Sequence, residues 1–174
     1  PNTGQADIFG EGMCRLTNNG NDQASLILDF GHELHGGFKL VISSCSPLQT
    51  PQVRLRFGES VSETCTELNT TKSIAETGSK ADVNLKANTA TNDHAIRDMV
   101  LTVPFYGQME VGSTGYRFVR IDLLTPGQTI NLKEATAILR YRDIPYVGSF
   151  RCSDQRLNDI WMTGAYTVHL NMQE

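Results

Sequence analysis

Residues 52–57 read Gln52-Val53-Arg54-Leu55-Arg56-Phe57, and their alternation decides the fold class. Val53, Leu55 and Phe57 fall on one side of an extended chain, Arg54 and Arg56 on the other. A period of two is what a strand shows when one of its faces meets a core. Upstream, Gly37–Ser44 sets Phe38, Leu40 and Ile42 opposite Lys39, Val41 and Ser43, and Ala24–Phe30 alternates Leu26, Leu28 and Phe30 with Ser25 and Asp29. Gly31, Gly36 and Gly37 punctuate the first pair of strands, and Pro47 and Pro51 the second. Downstream, strands are predicted at Arg97–Pro104, Tyr116–Leu123, Glu134–Tyr141 and Tyr146–Phe150, separated by Gly112, Gly115, Pro126, Gly127 and Pro145. About seven short strands with Gly and Pro turns between them define a mainly-β fold. The expected form is an antiparallel β-sandwich of jelly-roll or concanavalin-like type with a C-terminal α-helix.

Three segments depart from that pattern. Residues 1–23 are polar and rich in Asn and Gly, an irregular lead-in with room for one strand. Residues 60–92 are rich in Ser, Thr, Asn, Glu and Lys and read as a long polar surface loop, with a short helix near Lys72–Glu76. From Ser153 to Gln173 the apolar positions are Leu157, Ile160, Trp161, Ala165, Val168 and Met172, a spacing of three and four that predicts a helix capped by Ser153 or Asp154. One amphipathic helix after an all-β body needs a surface for its apolar stripe. Leu157, Ile160, Trp161 and Val168 are therefore expected to pack against another domain, and the natural chain to continue past Glu174 into a helical one.

The 174 residues suit a single domain, and 39% hydrophobic with 20% charged residues is a globular composition. A net charge of −4 without a basic cluster argues against a nucleic-acid partner. No apolar run approaches the roughly 18–20 residues of a membrane-spanning helix. The start at Pro1, with neither Met nor signal peptide, reads as a piece excised from something longer. Cys14, Cys45, Cys65 and Cys152 include no CxxC pair, so neither a metal site nor any other cofactor is expected. Free thiols are favoured, although four cysteines permit three pairings.

Candidate chemistry is sparse. His32-Glu33-Leu34-His35 falls one residue short of the H-E-x-x-H zinc motif and lies in a Gly-flanked turn, so it is read as structural. Asn92, Asp93, His94, Arg97 and Asp98 gather polar groups at the end of the long loop, the kind of set that holds a sugar, with Tyr106 or Tyr116 as a possible stacking ring. The competing reading is a solvated loop closed by an Arg97–Asp98 or Arg97–Asp93 pair. Carboxylate pairs for glycoside chemistry could be sought at Glu59/Glu63 or Asp93/Asp98, and both read as surface placements. Trp161 is read as a packing residue rather than a sugar platform.

Four stretches carry a family resemblance. They are Leu28-Asp29-Phe30-Gly31-His32-Glu33-Leu34-His35-Gly36-Gly37, Val53-Arg54-Leu55-Arg56-Phe57-Gly58-Glu59-Ser60, Gly115-Tyr116-Arg117-Phe118-Val119-Arg120-Ile121, and the junction Gly148-Ser149-Phe150-Arg151-Cys152-Ser153-Asp154-Gln155-Arg156-Leu157-Asn158-Asp159-Ile160-Trp161. In this order they resemble the bacterial α-L-rhamnosidases of glycoside hydrolase family 78. The resemblance implies an accessory β-sandwich over residues 1–150 and, over 151–174, the first helix of a truncated catalytic (α/α)6 barrel. It places the catalytic carboxylates beyond Glu174, so no catalytic residue is carried over. The partners it implies are the helical catalytic domain of the same parent and a rhamnose-containing glycan, with a periplasmic or secreted parent. The first expectation is thus a non-catalytic module that braces the barrel and adds a wall to the carbohydrate cleft. The alternatives are a stand-alone carbohydrate-binding module or lectin, and a chain that itself hydrolyses a glycoside.

Overall fold

The structure, a computed structural model, describes residues 13–21, 23–66 and 97–172. Six strands and two helices are assigned among them: β1 (Cys14–Asn18), β2 (Ser25–Ser46), β3 (Gln52–Gly58), α1 (Val61–Cys65), β4 (Asp98–Thr102), β5 (Gly107–Leu123), β6 (Gln128–Leu139) and α2 (Gln155–Leu170). The strands form one hydrogen-bonded sheet in the order β1-β6-β2-β5-β3-β4, antiparallel throughout. The fold is mainly β with a C-terminal helix, as the alternation predicts.

The two strands expected at Ala24–Phe30 and Gly37–Ser44 are one 22-residue strand, β2. The Gly-rich stretch between them does not reverse the chain. It forms a wide bulge, in which residues 30–33 lie between the pairs Asp29↔Phe118 and Leu34↔Tyr116 while only Arg117 lies opposite. Gly31 supplies the positive φ of 82° that the excursion needs. Asp29 frames its start, accepting from the Gly31 amide at 2.8 Å and from Arg117 at 2.7 and 2.8 Å. The Arg117 hydrogen bonds, with the Gly31 amide, hold the Asp29 carboxyl down at about 2.

The buried face follows the sequence pattern. Phe38, Leu40, Ile42, Val53, Leu55, Phe57, Val119, Ile121, Ile130 and Leu132 pack into one core. Phe30, Phe38, Phe57 and Tyr116 join it through edge-to-face ring contacts 5.1–6.3 Å apart. Alternation alone would leave Arg56 on an open face, yet its side chain is 4% exposed and bridges Asp122 at 2.6 Å. Asp122 also accepts from Ser25 and Arg120, so three donors meet this buried carboxylate.

Two further expectations change. Tyr146–Phe150 is not a strand, because the segment runs without a ladder partner and Tyr146, Val147 and Phe150 stand exposed. The polar stretch from Ser60 opens with helix α1 rather than loop. Ser60 caps it by accepting from the Glu63 amide at 3.1 Å, and Glu63 reaches back to the Glu59 amide at 2.8 Å. Ser60-Val61-Ser62-Glu63 carries the capping-box spacing that announces such a start. The helix expected near Lys72–Glu76 lies outside the described residues. All four cysteines are free thiols, Cys45 buried.

Helix α2 starts where predicted. The Asp154 carboxylate accepts from the Arg156 amide at 2.9 Å. Asn158 clamps the Cys152 backbone from both sides at 2.8 and 3.0 Å, fixing the entry of the chain into the helix. Its far end is anchored by His169, which is buried against Tyr141 and Tyr146 and bonded to the Arg142 carbonyl. Tyr166 donates to the Glu33 carbonyl at 2.6 Å, tying the helix to the β2 bulge.

Candidate functional site

The β2 bulge, the β5 stretch beside it and the last turn of α2 enclose a polar cleft of about 300 Å³. Each wall has a local cause. The bulge turns Glu33 into the cleft beside Leu34 and His35. Strand β5 contributes Ser113 and Thr114, Glu59 follows directly after β3, and Arg97 immediately precedes β4. Thr167, Leu170 and Asn171 close it from the helix.

Arg97 organises the charge. Its guanidinium donates to Glu59 and to Glu63, each at 3.1 Å, and joins the β3 end and α1 to the start of β4. Glu33 stands next to this group. Partial burial raises the pKa of its carboxyl, the negative charges of Glu59 and Glu63 add to the rise, and Arg97 offsets part of it. A carboxylate perturbed by burial and by neighbouring charge inside a cleft marks a functional-site candidate. Thr114 is 1% exposed, and among the described residues its hydroxyl has no hydrogen-bond partner.

Of the five residues proposed from sequence to hold a sugar, Arg97 lies in this cleft. Asp98 is committed elsewhere, because Arg54 grips it in a two-pronged pair at 2.8 and 2.6 Å across β3 and β4. The expected Arg97–Asp98 closure does not form. Arg97 instead pairs with Glu59 and Glu63, while Asp98, the first residue of β4, pairs across the sheet with Arg54. Asn92, Asp93 and His94 lie outside the described residues, and so does an Arg97–Asp93 pair. Tyr116 is sealed in the core with its hydroxyl on the Gly37 carbonyl, so it offers no sugar platform. Sequence reading took Glu33, within His32-Glu33-Leu34-His35, as part of a structural turn and not as a cleft residue. Ser113 and Thr114 carry no sequence signal at all.

A second, apolar groove of about 540 Å³ runs along the other side of α2, where Trp161, Ala165, Val168 and Met172 face Ile144 and Tyr146. Leu157, Ile160 and Val168 are 48%, 59% and 57% exposed, while Trp161 is half-buried. Among the described residues no set of three His, Cys, Asp or Glu side chains converges as metal ligands, and no helix is long and apolar enough to cross a membrane.

No family model matches the sequence, and no curated protein does. Solved structures do match the fold. A rhamnosidase from Klebsiella oxytoca, determined with rhamnose bound, superposes with a TM-score of 0.68 at 16% identity over 92% of this chain. The glycoside hydrolase family 78 rhamnosidase of Bacillus sp. GL1 superposes with a TM-score of 0.62 at 17% identity over 95% of this chain. The chain spans only 28% and 15% of the length of these two proteins, and what it shares with them is the fold of one part of a rhamnosidase.

Proposed function

We propose that this chain is a non-catalytic β-sandwich module of an α-L-rhamnosidase-like glycoside hydrolase, bracing a helical catalytic domain of the same parent. The observation that carries this reading is the open apolar side of α2. Leu157, Ile160 and Val168 remain about half exposed beside an apolar groove. Burying each such side chain fully is worth about 1.5–3 kcal/mol, an incentive that the described part of the chain leaves unused. The fold-mates are several times longer than this chain, which supports a further domain as the cover. Residues 151–172 then act as the entry helix, and Leu157, Ile160, Trp161 and Val168 as its interdomain contacts. The polar cleft around Arg97 borders the carbohydrate side of the assembly.

The test is hydrolysis of an aryl α-L-rhamnoside by the 174-residue chain and by the protein encoded by its full reading frame. The full protein is expected to turn the substrate over, and the 174-residue chain to be inert. Turnover by the 174-residue chain would make it the enzyme itself. A reading frame without a following helical domain would leave a free-standing binding module, and either result ends the proposal.

A further inference from the structure

Gly164 stands in the middle of α2, where a glycine costs about 0.8–1 kcal/mol of helix stability relative to alanine. Among the described residues nothing requires it. Its backbone is ordinary helix, and a Cβ there would meet no atom within 4 Å. The glycine lines the apolar groove instead, with Trp161 one turn before it, Val168 one turn after it and Ala165 at its side. Tyr166 and Leu170 leave the helix from the opposite side, one bonded to the β2 bulge and the other buried. The space that the missing side chain leaves therefore belongs to the groove and not to the core of the sheet.

The spacing decides what shape fits that space. Leu157, Trp161, Gly164 and Val168 follow one another at intervals of four, three and four residues. This is the seam along which two helices pack at a shallow angle. Its steps average about 5.5 Å along the helix axis, whereas same-face side chains of a strand step by about 6.6 Å, so a strand drifts out of step along the row. Packed helices lie about 8–10 Å apart according to the side chains at the contact, and a glycine in the seam permits the short end of that range. We infer that a second helix lies lengthwise on α2, comes closest at Gly164 and seats a bulky apolar side chain there between Trp161 and Val168. On the reading of this chain as a module that braces a helical domain, that helix belongs to the same parent, and the fold-mates, several times the length of this chain, leave room for one.

The experiment places Gly164→Leu in the 174-residue chain and in the protein encoded by its full reading frame, and follows thermal unfolding of both. In the 174-residue chain the leucine meets open space and is the better helix former. Amide exchange at residues 161–168 is expected to slow about fourfold, with the melting temperature within about 1 °C of the native chain. In the parent the same leucine fills the place of the incoming side chain, and the melting temperature is expected to fall by about 3 °C or more. Gly164→Ala adds one methyl and should give a smaller fall, which supplies the reading if the Gly164→Leu parent does not fold. Sedimentation should find the 174-residue chain monomeric. A dimer that Gly164→Leu splits would make a second copy the occupant and overturn the inference. Loss of stability in the 174-residue chain would overturn it too, by assigning Gly164 to the chain's own packing. A parent that Gly164→Leu leaves unchanged, while Leu157→Lys with Ile160→Lys lowers its melting temperature, removes the second helix at Gly164 alone. If neither change lowers it, the reading of a braced domain falls as well.

Discussion

Asp122 shows how one buried charge is made tolerable. Burial opposes its ionisation, but hydrogen bonds from Ser25, Arg120 and Arg56 outweigh that and lower its pKa. A carboxyl with a folded pKa below its unfolded value stabilises the fold above about pH 4. That contribution is lost as pH falls through the folded value. Urea unfolding should therefore show stability dropping below about pH 4 in the native chain, and less so in Asp122→Asn. At neutral pH the same substitution leaves Arg56 buried opposite a neutral group and should cost about 3–5 kcal/mol. Tyr116 offers a milder case. Burial pushes its phenol up to about 12, and its hydroxyl donates to the Gly37 carbonyl. Tyr116→Phe should lower stability by about 1 kcal/mol in the same assay. Gly36 is intolerant for a steric reason, since a Cβ there would lie 1.8 Å from the Ile138 carbonyl oxygen. Gly36→Ala should cost more than about 3 kcal/mol, read as loss of the folded amide spectrum at ambient temperature.

At the scale of elements, β2 and α2 carry the interest. Strand β2 pairs with β5 on both sides of its bulge, so the bulge is held by ladder bonds at each end and can present Glu33 in a fixed place. Helix α2 is held mainly at its ends, by the Asp154 cap and by Tyr166 and His169. Asp154→Ala should remove about 1 kcal/mol of local helix stability. Because the sheet does not depend on the first turn, the loss should appear as faster amide exchange at residues 156–158 with the global unfolding midpoint little changed. Gly164 lies inside α2, and a Cβ there would meet nothing within 4 Å. Gly164→Ala should slow exchange along the helix by the equivalent of about 0.8–1 kcal/mol.

Across the whole molecule, the contrast is between a sheet that completes its own core and a helix that does not. Leu157→Lys with Ile160→Lys replaces two half-exposed side chains. In the 174-residue chain this pair should change stability by no more than about 0.5 kcal/mol and lower the binding of a hydrophobic dye. In a longer parent chain the same pair should lower the melting temperature. The opposite pattern, a large loss in the short chain and none in the parent, would mean that the helix serves the sheet alone.

The sequence by itself determined the alternating strands, the mainly-β class, the helix after Ser153 and the identity of its apolar stripe. These follow from local periodicity, which every residue carries in its own neighbourhood. Only the tertiary structure decided that Gly31–Glu33 is a bulge inside one strand rather than a turn between two. The choice depends on whether β5 continues alongside, and β5 lies some eighty residues away in sequence. The same holds for the site. Arg97 was legible as a polar residue near a loop end, but its partners Glu59 and Glu63, at the β3 end and in α1, and its neighbours Glu33 and Thr114, on β2 and β5, come from elements far apart in sequence. Their meeting is a property of strand order and register, and strand order is fixed by long-range pairing that no local pattern encodes.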